Sequence, residues 1–295
     1  MNIKDFIKLF LPPIVLKLIH WKRDHPKLHE SPLPKLQSKT DKMILIGNGP
    51  SLNTTIELYK DEIIKFDRIA TNSFASTSLY EEIKPNFYLF ADPAFFNVPE
   101  NQKESISKLF DAILTKTTWP LRIIIPSSAS EAQIIANLHT NPNIEIICYF
   151  EGWQNIRKLS KFEAWDRNLI GPPAQNVLNV GLYLSLFWGY KETYLIGADS
   201  TFLEDLRVDQ DTNELYTIDT HFYKNKDVYV DKSFYDSQKR GRSRSDWTLH
   251  DLIYAHGRMF EYYYALKQYA EYKGLKIYNA SEYSWINCFE RRKLR

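Results

Sequence analysis

The sequence predicts an α/β protein, built on a mostly parallel sheet with helices on both faces and carrying a lid segment. Three observations lead there. Short apolar runs recur along most of the chain, amphipathic stretches of helical length separate them, and one long polar stretch interrupts the alternation. Strands that alternate with helices pair in parallel, because each crossover helix returns the chain to the same end of the sheet. The expected architecture is therefore Rossmann-like, with both sheet faces covered.

Residues 1–42 stand apart. They hold nine Lys/Arg against four Asp/Glu, so the remainder of this +2 chain is slightly acidic. Within them, Phe6 to Trp21 places Leu9, Phe10, Ile14, Val15, Leu18 and Ile19 on one face, ringed by Lys8, Lys17, Lys22 and Arg23. Pro12-Pro13 divides this stretch into two short pieces. Two readings fit: an anchor of residues 1–23 on an anionic membrane surface, or a helix docked on protein. Asp24 to Lys42 is rich in Pro, Lys and His and reads as a linker.

The alternating pattern spans 43–295. The expected strands are Met43–Ile46, Arg68–Thr71, Phe87–Ala91, Arg122–Pro126, Ile144–Cys148, Thr193–Gly197 and Leu275–Ala280. Expected helices lie near 54–64, 101–116, 129–139, 174–189 and 247–273. The polar stretch at about 201–244 is a long loop in an otherwise compact pattern, and is expected to act as the lid.

Composition removes several classes of function. Cys148 and Cys288 are the only cysteines, which gives neither a disulfide framework nor a zinc signature. No apolar run approaches the ~20 residues of a membrane span. The charges at Lys4, Asp5 and Lys8 make a poor export signal, so a cytoplasmic location is expected. Nucleic acid is not an expected partner, because the domain after residue 42 has no basic excess.

Candidate site residues sit where three successive strands end. The first strand runs into Gly47-Asn48-Gly49-Pro50-Ser51, the second into Asn72-Ser73, and the third into Asp92-Pro93. In an open α/β sheet, ligands bind beyond the carboxyl ends of the strands. The two glycines let a backbone approach a ligand, or simply make a tight turn. Asp92 suits ribose hydroxyls or a base amino group, and equally a helix cap. Gly197-Ala198-Asp199 ends a later strand, where Asp199 either orients a ligand or anchors a loop.

These segments, in this order, resemble glycosyltransferase family 42, the bacterial sialyltransferases that use CMP-sialic acid. GNGPSL, Asn72 and LFADPAFF follow the family's first three strands. Val180–Phe202, with its Gly-Tyr-Lys-Glu turn and Gly-x-Asp, and Ala265–Ser281 are similar to later blocks. The resemblance implies a variant GT-A-like sialyltransferase fold and an inverting transfer without a metal or other cofactor. It implies a CMP-activated acidic sugar as donor and a glycan or glycolipid acceptor of surface polysaccharide. A homo-oligomer is the implied state, and residues 1–23 would place it on the inner face of the cytoplasmic membrane.

Donor contacts would come from Gly47, Asn48, Gly49, Pro50, Ser51, Asn72, Ser73, Asp92, Gly197 and Asp199, with Asn279 and Ser281 meeting the base from the other side. The family's general base is a His shortly before the last long helix; the matching position is Gly257, next to His256, with His250 as the reserve. From its residues alone, His256 belongs to an apolar stripe with Leu249, Leu252, Ile253 and Phe260, the pattern of a core histidine.

The departures surround the sugar and phosphate. Ser73 and Asp92 replace the family's Gln and Asn, Ser200-Thr201 replace its aromatics, and Gln175, Asn176 and Asn179 occupy the place of its Arg-x-x-Ser. They point to a relative that uses sialic, pseudaminic, legionaminic or 3-deoxy-manno-octulosonic acid. Tyr216 or Tyr223 would contact phosphate, aided by Lys239, Arg240, Arg242 and Arg244 of the lid. Asp209-Gln210-Asp211 has the form used by metal-dependent transferases with UDP- or GDP-sugars, but it does not follow an apolar strand. Further alternatives are a nucleotide-binding pyrophosphokinase-like domain and a non-catalytic glycan- or membrane-binding protein.

Overall fold

A computed structural model describes residues 33–34, 36, 40–151, 160–172, 174–204, 206–211, 213, 215–218, 229–230 and 248–294. The amphipathic segment at residues 1–23 lies outside them, as do Tyr223 and the four basic lid residues.

Eight strands form one sheet: β1 (Lys42–Ile46), β2 (Asp67–Thr71), β3 (Phe87–Leu89), β4 (Leu121–Pro126), β5 (Ile144–Tyr149), β6 (Glu192–Ile196), β10 (Lys276–Asn279) and β11 (Glu290–Arg291). Their order is β11-β10-β6-β1-β2-β3-β4-β5, and neighbouring strands pair in parallel. The chain builds outward from β1 to β5, then crosses back to place β6 on the other side of β1. That reversal makes the β1/β6 boundary the topological switch point, where such sheets open a crevice.

Strand alternation divides the core in two. Met43, Leu45 and Ile69 face α5 (Lys161–Asp166), α6 (Val177–Phe187) and α7 (Leu249–Lys273). Ile44, Ile46 and Ala70 face α1 (Leu52–Ile63), α2 (Leu79–Ile83), α3 (Lys103–Lys116) and α4 (Gln133–Leu138). Helix α6 is buried along nearly its whole length, as a helix must be when it lies under both the sheet and α7. A Cβ on Gly181 would come within 2.6 Å of Leu45, so glycine there sets how closely α6 approaches β1. Thr248 and Asp251 form a capping box that starts α7, and Gly274, left-handed at φ 69°, ends it.

Two expectations need correction. The 201–244 segment contains three short antiparallel strands, β7 (Leu206–Val208), β8 (Leu215–Ile218) and β9 (Tyr229–Val230), in a sheet of their own. Asp209-Gln210-Asp211 turns the chain between β7 and β8: the Asp211 amide donates to the Asp209 carboxylate at 3.0 Å. The stretch read as a linker is also partly structural, because Leu33 is buried in the core. No described helix is long and apolar enough to cross a membrane.

Candidate functional site

The carboxyl ends of β1, β2 and β6 meet the amino ends of α6 and α7. Both helices lead into parallel strands on the same sheet, so each starts where the strands finish. The turn after β1 is held by the loop after β6. The Gly47 amide donates to the Ile196 carbonyl and the Gly49 amide to the Gly197 carbonyl, both at 2.8 Å, which continues the β1–β6 ladder beyond its strands. A Cβ on Gly47 would stand 2.4 Å from the Gly197 oxygen, and one on Gly49 would stand 2.4 Å from an Asp199 oxygen. Glycine is required here for loop-to-loop packing, which agrees with the tight-turn reading.

Asp199 is buried, and Ser51 occupies both its oxygens. The Ser51 hydroxyl donates to Oδ1 at 2.5 Å and the Ser51 amide to Oδ2 at 2.9 Å. Burial pushes the Asp199 acid above its ordinary value, and these two bonds oppose that push. Of its two readings, loop anchor is the one this geometry expresses: Asp199 fixes the start of α1. Pro50 lies exposed in the same turn.

Ser281 and Asn279 are likewise engaged. Ser281 Oγ accepts the Ala198 amide at 2.9 Å. The Asn279 amide group donates to Ser284 Oγ at 3.0 Å and to the Ile286 carbonyl at 2.9 Å, and its oxygen accepts the Ser281 amide at 3.2 Å. Ser284 Oγ donates to the Ala198 carbonyl at 2.6 Å and the Trp285 amide to the Asp199 carbonyl at 2.8 Å. These bonds tie the loop after β10 to the end of β6. Asp92 is exposed and caps a short turn, accepting the Ala94 amide at 2.9 Å, so the cap reading describes it.

The β1/β2 side differs. Asn48 Nδ2 donates to the Thr71 carbonyl at 3.0 Å, while its buried Oδ1 has no hydrogen-bond partner among the described residues. The same holds for the buried Oδ1 of Asn72, whose backbone is left-handed at φ 49°. Asparagine tolerates that conformation better than most residues. Tyr88 braces the turn by donating its hydroxyl to the Asn72 carbonyl at 2.5 Å and accepting the Ala75 amide at 2.8 Å. Ser73 is half-buried in this turn. In the first turn of α6, Asn179 is fully buried and neither of its amide atoms has a partner among the described residues. Buried polar groups in folded proteins are nearly always paired, and among the described residues unpaired atoms also occur on Arg68, Gln102, Tyr149, Trp165 and Trp188; the three asparagines are set apart by their place at the carboxyl end of the sheet.

One phenol joins the two helices to the sheet. Asn176 caps α6 by accepting the Asn179 amide at 2.9 Å, and its Nδ2 donates to the Tyr263 hydroxyl at 3.0 Å. That hydroxyl also bonds Ser200, which follows β6 in a left-handed conformation at φ 53°. Burial raises the Tyr263 phenol to about 12. Sequence reasoning missed Tyr263, which looks like one more core aromatic of α7, and its role depends on partners on distant elements.

His256 lies on α7 seven residues, or two turns, before Tyr263. It is inside the last long helix, as the expected helix near 247–273 places it, whereas the base of family 42 precedes that helix. Its ring is half-buried and lies flat against Phe202, with centroids 5.0 Å apart and planes 4° from parallel. Burial holds its conjugate acid below 6.5. His250 is highly exposed, with Nδ1 4.0 Å from Asp251.

No family model and no curated protein matches the sequence. Among solved structures, the MAf glycosyltransferase from Magnetospirillum magneticum AMB-1 is similar at 14% identity and a TM-score of 0.49, with 89% of this chain and 35% of that chain covered. The chain thus spans about a third of that structure's length.

Proposed function

We propose that the chain is a glycosyltransferase moving an acidic eight- or nine-carbon sugar from a CMP-activated donor to a glycan acceptor. The observation that carries the proposal is the set of unpartnered carboxamide atoms on Asn48, Asn72 and Asn179 at the carboxyl end of the sheet. Carboxamide oxygens accept from amino and hydroxyl groups, and an NH2 group donates to ring nitrogens and carbonyls. Cytidine offers all of these along its base edge and ribose. The ordered resemblance to family 42 supports cytidine over other nucleosides, and the changed residues around sugar and phosphate support an acid sugar other than, or besides, sialic acid.

In the proposed step the acceptor hydroxyl oxygen attacks the anomeric carbon from the face opposite the phosphate. The bond from that carbon to the phosphate oxygen breaks, its electron pair leaves with CMP, and configuration inverts. His256 takes the acceptor proton. An imidazole whose conjugate acid titrates below 6.5 is neutral at pH 7 and free to accept it. Asp199, Ser281 and Asn279 hold the two strand-end loops that frame the site. A cytoplasmic enzyme, peripheral on the membrane through residues 1–23, fits this chemistry.

Thermal-shift titration with CMP, CDP, UDP, GDP and ATP, each with and without EDTA, tests the donor class. A ligand at a hundred times its dissociation constant adds about 2.7 kcal/mol of apparent stability. The expected result is stabilisation by CMP that EDTA does not alter. A metal-dependent response to UDP or GDP, a response to ATP, or none to any nucleotide would overturn the CMP reading.

A further inference from the structure

The surface carries three exposed rings, Phe202, Tyr283 and Trp285, and the first of them lies against His256. We infer that Phe202, Tyr283 and Trp285, with Glu204 between them, form the acceptor subsite and take an uncharged sugar ring. The inference rests on the transferase reading, because Phe202 sets the subsite against the proposed base.

Phe202 and Glu204 share one turn, in which the Glu204 amide donates to the Thr201 carbonyl at 2.8 Å, and Glu204 joins that turn to Tyr283. Phe202 lies against His256. The Tyr283 hydroxyl donates to Glu204 Oε1 at 2.7 Å, and Trp285 Nε1 donates to the Tyr283 hydroxyl at 3.3 Å. Phe202, Tyr283 and Trp285 nevertheless keep 36%, 52% and 37% of their surfaces exposed. Burying such rings would have been favourable, so leaving them out as a group marks an interaction site.

The platform is held in place from below. Backbone and hydroxyl groups of Ser281, Ser284 and Trp285 are bonded to Ala198 and Asp199, so the Tyr283 and Trp285 rings stand on a braced loop. A surface ordered before binding loses less freedom when the ligand arrives.

The chemistry selects the occupant. Aromatic faces pack against the C–H faces of a pyranose, while a carboxylate and a phenol at the ring edges bond its hydroxyls. Only one bond to the Glu204 carboxylate comes from Tyr283, and a carboxylate offers about four acceptor sites. That negative charge admits a neutral sugar and repels an acidic one, so the transferred acid would not itself serve as the next acceptor.

Saturation-transfer NMR titrations of the full chain test this with methyl β-D-galactopyranoside, methyl β-D-glucopyranoside and the methyl glycoside of N-acetylneuraminic acid. At least one neutral glycoside is expected to bind about tenfold or more tightly than the acidic one. Trp285→Ala should weaken the neutral probe about tenfold, equivalent to about 1.4 kcal/mol. Glu204→Gln should raise affinity for the acidic probe about tenfold, a change that a purely structural role would not produce. Stabilisation by CMP should persist in both variants, which shows that they fold and keeps the two readings separable. If CMP fails to stabilise the wild type while the neutral sugar binds, the donor reading falls alone. Binding of no neutral sugar, equal binding of the acidic sugar, or unchanged affinity in Trp285→Ala overturns the inference. So does dissociation of an oligomer by Trp285→Ala, which would assign the rings to a second copy of the chain.

Discussion

The two sides of the switch point contain the same kinds of residue and use them in opposite ways. On the β6/β10 side, Asp199, Asn279 and Ser281 are buried and their polar atoms are engaged by partners within the chain. On the β1/β2/α6 side, Asn48, Asn72 and Asn179 keep buried amide atoms without partners among the described residues. Burial alone therefore does not separate framework from binding surface here. The separation comes from asking, atom by atom, where each hydrogen bond goes. One side ties the strand-end loops together, and the other is where we propose that a ligand binds.

The contrast is best tested where its consequences are largest. Asp199→Ala removes two bonds to a carboxylate and leaves the Ser51 amide without its partner. We expect a loss of about 3 kcal/mol or more in urea unfolding. A loss under about 1 kcal/mol would show that the engaged side is not the frame. Gly49→Ala, which drives a methyl group into the same carboxylate, should cost about 1–3 kcal/mol.

His256→Gln should lower turnover about 100-fold while leaving CMP binding in place. Its pH dependence has a definite sign. The folded protein holds the imidazolium below 6.5, so between that lowered value and 6.5 the unfolded chain binds the proton and the folded chain does not. The associated stability is present above pH 6.5 and is lost as pH falls through the folded value. Wild-type thermal stability should therefore drop more steeply below pH 6.5 than that of His256→Gln. Parallel curves for the two proteins would contradict the burial assigned to this ring.

The smallest effect on stability is the most diagnostic. Asn179→Leu replaces two unpartnered buried polar atoms with methyl groups of similar size. It should leave stability unchanged or raise it by about 1 kcal/mol, because an unpaired buried polar group costs about that much or more. The same substitution should abolish the CMP response. A variant that loses stability and still responds to CMP would mean that Asn179 belongs with the framework.

Much of the sheet could be read in advance because its strands are short apolar runs, and burial on both faces permits nothing else. Helix α2 and strand β11 are too short to show periodicity, and α5 follows Ser160 with only one turn and a half of pattern. The strands inside the lid segment escaped notice because they are two to four residues long and lie among Asp, Lys and Asn. At the site, Asn48 and Asn72 were legible from their place after β1 and β2. The division of labour between asparagines was not. Asp199 has its partner 148 residues away, and Asn176 has its own 87 residues away. A sequence shows a residue's chemistry, but only the folded chain shows which of its bonds are already taken.

The interlock of the two strand-end loops also sets an order of events during synthesis. The glycine turn at residues 47–51 emerges early, and the Thr71 carbonyl that holds Asn48 soon after, yet the groups that fix its glycines and Ser51, from the Ile196 and Gly197 carbonyls to the Asp199 carboxylate, are made about 150 residues later. Contacts this distant in sequence form only after a long loop has closed. A growing chain that has not yet reached Asp199 carries the turn without its support, so the capacity to hold a ligand arises abruptly, when the sixth strand takes its place beside the first.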